Sequence, residues 1–183
     1  MKIGILPVGQ VGSEVLLELA QGLPRIFPDT VCSVIVEPLS ISAEAFVKRR
    51  NQYNSSIILN ELRTHALGAG GFDRFLGVVD VDVFASGLNY VFGEAYTPGK
   101  ACLVSLWRLK PSFYGEAAGK DVYLQRVLKE AVHELGHTLG LQHCHRSSCV
   151  MRFSNSIFDT DRKQTLFCEQ DYLQATLAIN KLG

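Results

Sequence analysis

The sequence has no surplus of either charge, since eighteen Lys and Arg residues balance eighteen Asp and Glu. That balance removes the electrostatic footprint of a dedicated nucleic-acid binder, so no nucleic-acid partner is expected. The only basic run, Lys48-Arg49-Arg50, reads as a solvated helix face. Long apolar runs are also missing, and the longest falls well short of the roughly 20 residues of a membrane span. No membrane partner is expected. The opening MKIGILPVGQ interrupts its short apolar run with a glycine and a proline, which leaves no hydrophobic region for a signal peptide. A cytoplasmic location follows as the expectation. In that compartment five cysteines, an odd number, read as thiols or metal ligands rather than as a disulfide framework. Repeats, low-complexity tracts and linkers rich enough to divide domains are absent too. With 47% hydrophobic residues, the 183-residue chain is expected to be one globular domain over 1–183, and a monomer.

What is present is an alternation of strand and helix signals. KIGILP (Lys2 to Pro7) reads as a buried strand, and Val11 to Leu23 carries apolar residues at helical spacing. TVCSVIV (Thr30 to Val36) is a β-branched run bounded by prolines, and Ser42 has the character of an N-cap for a helix through Val47. Tyr53 to Leu67 fits strand or helix. Phe72 to Val83, Leu88 to Tyr96 and Ala101 to Leu106 read as strands. The longest helical pattern is Lys120 to Leu139, with Val122, Val127, Leu128, Val132, Leu135 and Leu139 on one stripe. A further helix is expected near Asp171 to Lys181. The fold class is therefore α/β, a mixed sheet with helices and one long helix, divided into an upper lobe (about 1–142) and a small C-terminal lower lobe (about 143–183).

The chemistry concentrates in Ala131 to Met151, AVHELGHTLGLQHCHRSSCVM, which holds four of the five histidines and two of the five cysteines. His133 and His137 are four apart on the long helix, so their directions differ by roughly 40° and two imidazoles can meet one ion. Gly140 stands where a left-handed turn would end the helix and reverse the chain. The reversal returns His143 as a third nitrogen ligand and leaves a fourth position open, as a catalytic zinc site does. Glu134, beside the first ligand, has the place of the carboxylate that takes a proton from water at that position.

His133, Glu134, His137, Gly140 and His143 together resemble the metzincin zinc-peptidase motif H-E-x-x-H-x-x-G-x-x-H. In that resemblance Met151 is the methionine of the Met-turn beneath the site. Cys144, Cys149 and Cys168 extend the likeness to the archaemetzincins, whose pattern continues H-C-x4-C-x-M and later C-x-x-C. RRNQYNSS (Arg49 to Ser56) and LNYVFGEA (Leu88 to Ala95) also look like archaemetzincin segments. The resemblance implies a metzincin-like twisted mixed sheet with a long active-site helix. It also implies two zinc ions, one catalytic at the histidines and one structural at the cysteines. The fourth cysteine is replaced, because Cys168-Glu169-Gln170 leads to Asp171. A carboxylate is an acceptable zinc ligand, so Asp171 could close the set; His145 is a competitor, and a chain that binds no second metal is the bland alternative. Cys32 and Cys102 read as small buried hydrophobes, and His65 as unrelated to the cluster.

The implied activity is hydrolysis of peptide bonds in a peptide or protein substrate, by endo- or aminopeptidase action, with Glu134 as general base. Metzincins lay substrate along a sheet edge, and Asn89, Tyr90, Val91, Phe92 and Gly93 are the residues most similar to that edge. Arg49, Arg50, Gln52 and Tyr53 fit either a substrate terminus or an internal anchor. Two rival readings remain open at this stage, a non-catalytic or narrow-specificity zinc-binding protein and a zinc hydrolase acting on a non-peptide substrate.

Overall fold

A computed structural model describes residues 1–117 and 119–182. In chain order the elements are β1 (Lys2–Val8), α1 (Ser13–Gly22), β2 (Val31–Val34), β3 (Phe46–Val47), β4 (Gln52–Asn54), α2 (Ser55–Gly68), β5 (Arg74–Val79) and β6 (Val83–Phe84). They continue with β7 (Gly93–Ala95), β8 (Ala101–Ser105), α3 (Lys120–Thr138), α4 (Ile157–Arg162) and α5 (Glu169–Asn180). The main sheet has the order β2-β1-β5-β8-β7, parallel except for β7, which runs antiparallel to β8 at the edge. This is the mixed α/β sheet that the strand and helix signals imply. β3, β4 and β6 form a second, small sheet.

Two apolar layers cover the main sheet. One joins α1 and α3 to Ile3, Ile5, Leu76, Val78 and Val104, and the other joins Ile58, Leu59 and Leu62 of α2 to Leu6, Phe75 and Leu103. Alternate residues of β1, β5 and β8 point to opposite faces, so these strands read as continuous hydrophobic runs because both faces are buried. Truncating a buried leucine here, Leu76 or Leu135 for example, costs about 2–5 kcal/mol. Val150, Met151, Ile157, Ala175 and Ile179 belong to the same core as α3, so the segment after the long helix packs beneath it.

Helix α3 carries two buried stripes. Val127, Ala131, Val132 and Leu135 face the sheet, while Arg126, Lys129, Glu130, His133 and Glu134 are buried polar residues on another face. Val122, at the start of the expected stripe, is 37% exposed and lies outside the packed turn.

Several local expectations change for long-range reasons. Ser42 caps only a short 3-10 turn over Ala43–Ala45, and Phe46–Val47 then pair as a strand with β4 across a turn at Asn51 (φ 52°). Tyr53 to Leu67 becomes strand end and then helix, because the Asn54 side chain accepts a hydrogen bond from Ser56 N and starts α2. The Phe72 to Val83 run divides between two sheets, with Asp80 and Asp82 at the break held by Lys110 and Arg108. Leu88 to Tyr96 contributes only Gly93–Ala95 as a strand. Ahead of it, Arg50 Nη2 donates to the carbonyls of Leu88 and Asn89, and Gln52 Nε2 also donates to Asn89 O. Those carbonyls are drawn out of sheet register.

Candidate metal centres and cleft

The turn after α3 has the form the sequence implies. Gly140 sits at φ 93°, in the left-handed region that disfavours side chains, and its N–H donates to His137 O. His133 and His137 project from one face of the helix and His143 returns against them, with ring centroids 4.7, 5.3 and 4.9 Å apart. One nitrogen from each ring lies within 4.8 Å of the others. His133 is buried, His137 half-buried and His143 exposed, so the cluster opens to solvent on the His143 side.

The donor set fits a divalent ion of the zinc type. His133 Nδ1 donates to Val150 O and His137 Nδ1 donates to Leu141 O, each at 2.8 Å, which commits both rings to the tautomer with a bare Nε2. Those two Nε2 atoms then face each other at 3.1 Å. Two lone pairs at that distance repel unless a cation lies between them, and the spacing matches the roughly 3.3 Å between nitrogens of a tetrahedral zinc. Burial lowers the proton affinity of all three imidazoles, and the Lys163 charge lowers it further. They are therefore held neutral, as ligands must be.

Glu134 is buried next to His133, and burial pushes its carboxyl well above the usual carboxylate range, with Glu130 and Glu94 adding repulsion. The edge strand passes directly over it. A Cβ placed on Gly93 would lie 2.6 Å from Glu134 Cγ, Glu134 Oε1 and Leu103 O. Only a glycine lets the strand approach this closely. A cavity of about 500 Å3 runs along β7 past His133, Glu134, His137 and His143 to Phe153 and Asn155. Tyr90 Oη donates to Asn155 O at 2.7 Å across it.

Met151, expected as the methionine of the Met-turn, is fully buried with its sulfur against Gly136, between the two helix histidines. Its main chain also ties the second cluster in place, because Cys144 N donates to Met151 O at 2.9 Å. In that cluster Cys144, Cys149, Cys168 and Asp171 offer ligand atoms all within 4.8 Å of one another. Cys144 and Cys168 sulfurs are 3.9 Å apart, and Asp171 Oδ2 lies 3.0 Å from Cys149 and 3.2 Å from Cys168. A tetrahedral zinc with Zn–S bonds of about 2.3 Å sets its sulfurs about 3.8 Å apart, so this donor set fits as well. Cys168 and Asp171 occupy the N-cap and first turn of α5, where the helix dipole favours negative ligands. His145 is exposed and joins neither cluster.

The sequence profile of Peptidase family M54 matches residues 31–174. The chain belongs to this family. The archaemetzincin of Methanocaldococcus jannaschii is 45% identical over 170 residues, covering 93% of this chain and 90% of the relative. Among solved structures, the archaemetzincin of Archaeoglobus fulgidus, crystallised with malonate, is similar at a TM-score of 0.81 and 40% identity, covering 95% of this chain and 99% of that one. That of Methanopyrus kandleri has a TM-score of 0.86 at 32% identity, covering 98% and 96%. The M54 assignment makes the chain a zinc-dependent peptidase with two candidate metal sites, the histidine triad and the cysteine cluster. No helix among the described residues is long and apolar enough to cross a membrane.

Of the residues expected along the substrate edge, Gly93 lies in β7, whereas Asn89, Tyr90, Val91 and Phe92 form the approach to it and line the cavity. Arg50 and Gln52 serve as internal anchors of that approach, and Ser55 and Ser56 grip both carboxylate oxygens of Glu94. Sequence reading passed over Glu130 and Lys163, whose buried pair lies beside the triad. The available signal was periodicity, because Glu130 precedes His133 and Glu134 by three and four residues and so shares their face.

Proposed function

We propose that His133, His137 and His143 hold the catalytic zinc, that Glu134 is the general base, and that the substrate is a peptide laid along β7. The observation that carries this reading is the pair of bare Nε2 atoms 3.1 Å apart, next to a buried carboxylate and under a free strand edge. Bound to those nitrogens, zinc supplies Lewis acidity toward a carbonyl oxygen and a lowered pKa for water.

The chain's own groups supply the rest. Phe92 O accepts from Ser105 N and Tyr96 N donates to Ala101 O, so the alternation of an antiparallel ladder turns the N–H and C=O of Gly93 and Ala95 outward. A peptide pairing there lies beside Glu134, over which Gly93 passes. Glu134 accepts a proton from the attacking water at its carboxylate. The burial that raises its proton affinity then lets it hold that proton until the leaving nitrogen takes it. Val150 O and Leu141 O keep the two helix imidazoles oriented throughout.

The same reading gives Cys144, Cys149, Cys168 and Asp171 a second, structural zinc, which pins the segment after α3 beneath the site. The test compares Glu134→Ala with wild type for metal content and for cleavage of a mixed peptide library. The expected result is unchanged zinc with turnover reduced at least about 100-fold. Wild-type protein that hydrolyses esters or small amides but no peptide would refute the peptide assignment.

A further inference from the structure

The pair Glu130–Lys163 is buried beside the reaction centre and exchanges no proton in the chemistry above. Glu130 is 3% exposed and Lys163 1% exposed. Glu130 stands one turn before His133 on the same face of α3, and it lines the cavity that His133, Glu134 and Asn155 share. Its two carboxylate oxygens are not equivalent. Oε1 accepts from Thr160 Oγ1 at 3.0 Å and contacts Lys163 Nζ at 2.9 Å. Oε2 accepts no hydrogen bond from any of the described residues. Glu130 lines the cavity, and with Oε1 engaged the oxygen left for it is Oε2.

We infer that Glu130 is a specificity-determining residue whose Oε2 receives an uncharged hydrogen-bond donor, such as a side-chain amide or hydroxyl, from the substrate residue next to the scissile bond. This rests on the peptidase reading of the same site. A carboxylate with one oxygen occupied and the other facing a cavity is a fixed acceptor that lacks a donor, and a desolvating ligand without one leaves it unsatisfied. Lys163 selects the class. It already neutralises Glu130, and a cationic side chain on Oε2 would sit roughly 5 Å from the ammonium in a poorly solvated place, where like charges repel strongly. Thr160 and Lys163 also prevent the carboxylate from rotating, because both hold the same oxygen.

This arrangement has a distinctive consequence for Glu130→Gln. The Oε1 position must remain an acceptor, since a hydroxyl and an ammonium point at it, so the amide oxygen takes that place. The new NH2 then faces the cavity, and the acceptor becomes a donor.

The experiment measures calorimetric binding of two short peptide hydroxamate series to the zinc-loaded protein. The variable side chain (glutamine, methionine, glutamate or lysine) lies on one side of the zinc-binding group in each series. In wild type, glutamine should bind about tenfold tighter than methionine or glutamate in one of the two series. In Glu130→Gln the order of glutamine and glutamate should reverse. Melting curves report whether the variant folds, and the wild-type ranking stands without it. Equal affinities across both series, or lysine above glutamine, would overturn the inference while leaving the peptidase reading intact. Failure of every hydroxamate to bind would remove the open zinc site and the inference with it.

Discussion

The sulfur of Met151 lies against Gly136, so that a Cβ on this glycine would fall 2.5 Å from Met151 Sδ. Gly136 lies between the two histidines of α3, where glycine costs about 1 kcal/mol of helix propensity relative to alanine. The structure shows why it is there: the floor of the site reaches the helix backbone.

Gly136→Ala should therefore destabilise the protein in spite of its better propensity. The alanine methyl would displace Met151 and press on Phe167, whose Cε1 is 3.3 Å from the same point. A net loss of about 1–3 kcal/mol is expected from overpacking. Urea denaturation of the zinc-loaded protein measures it, and a stability equal to or above wild type would contradict this packing.

Gly93→Ala should damage function more than folding. The added methyl meets Glu134 and Leu103 O at 2.6 Å, so either β7 lifts from the helix or Glu134 rotates away. Peptide turnover is expected to fall at least about tenfold while zinc content stays unchanged. Steady-state kinetics beside metal analysis distinguishes this outcome from loss of the metal.

Asp171→Ala tests the second cluster. It removes the oxygen 3.0 Å from Cys149 and 3.2 Å from Cys168, leaving three thiols. Bound zinc should drop from about two ions per chain toward about one after dialysis against a mild chelator, whereas Asp171→Cys should retain both. Mass spectrometry under native conditions counts them. Retention of both ions by the alanine variant would remove Asp171 from the ligand set.

Arg50→Ala should loosen the approach to the edge strand. Arg50 donates to Leu88 O and Asn89 O, and its guanidinium lies 4.1 Å over the Phe84 ring. Faster amide exchange is expected over Leu88–Phe92, with KM raised more than kcat is lowered. Unchanged exchange there would mean that the loop is held by other contacts.

The site was legible where the chain makes it locally. His133, Glu134 and His137 follow from helical spacing, and His143 follows from Gly140, because one turn and one reversal decide where they go. The three cysteines and Asp171 were legible as a spacing once likeness to a family was admitted, although their closure depends on α5 packing under α3. The edge strand was harder to place. Its limits depend on Arg50 and Gln52, which reach carbonyls 37 to 39 residues away, and β-propensity carries no trace of them. Glu130 was overlooked for a related reason, since its partner Thr160 is 30 residues distant and a glutamate on a long helix is ordinarily solvated. The break of Phe72 to Val83 into two sheets depends likewise on Lys110 and Arg108 drawing Asp80 and Asp82 aside.

Consecutive residues, His143 and Cys144, serve the two clusters, and the partners of Cys144 include Cys168 and Asp171. The third imidazole is thus anchored by chain that the ribosome releases later. During synthesis a nascent polypeptide can complete α3 long before residues 168–171 emerge, and in that interval the loop at His143 is held by the Cys144 N to Met151 O bond without the second cluster. The second cluster, and with it the full anchoring of the loop that carries His143, is completed only when that tail has emerged.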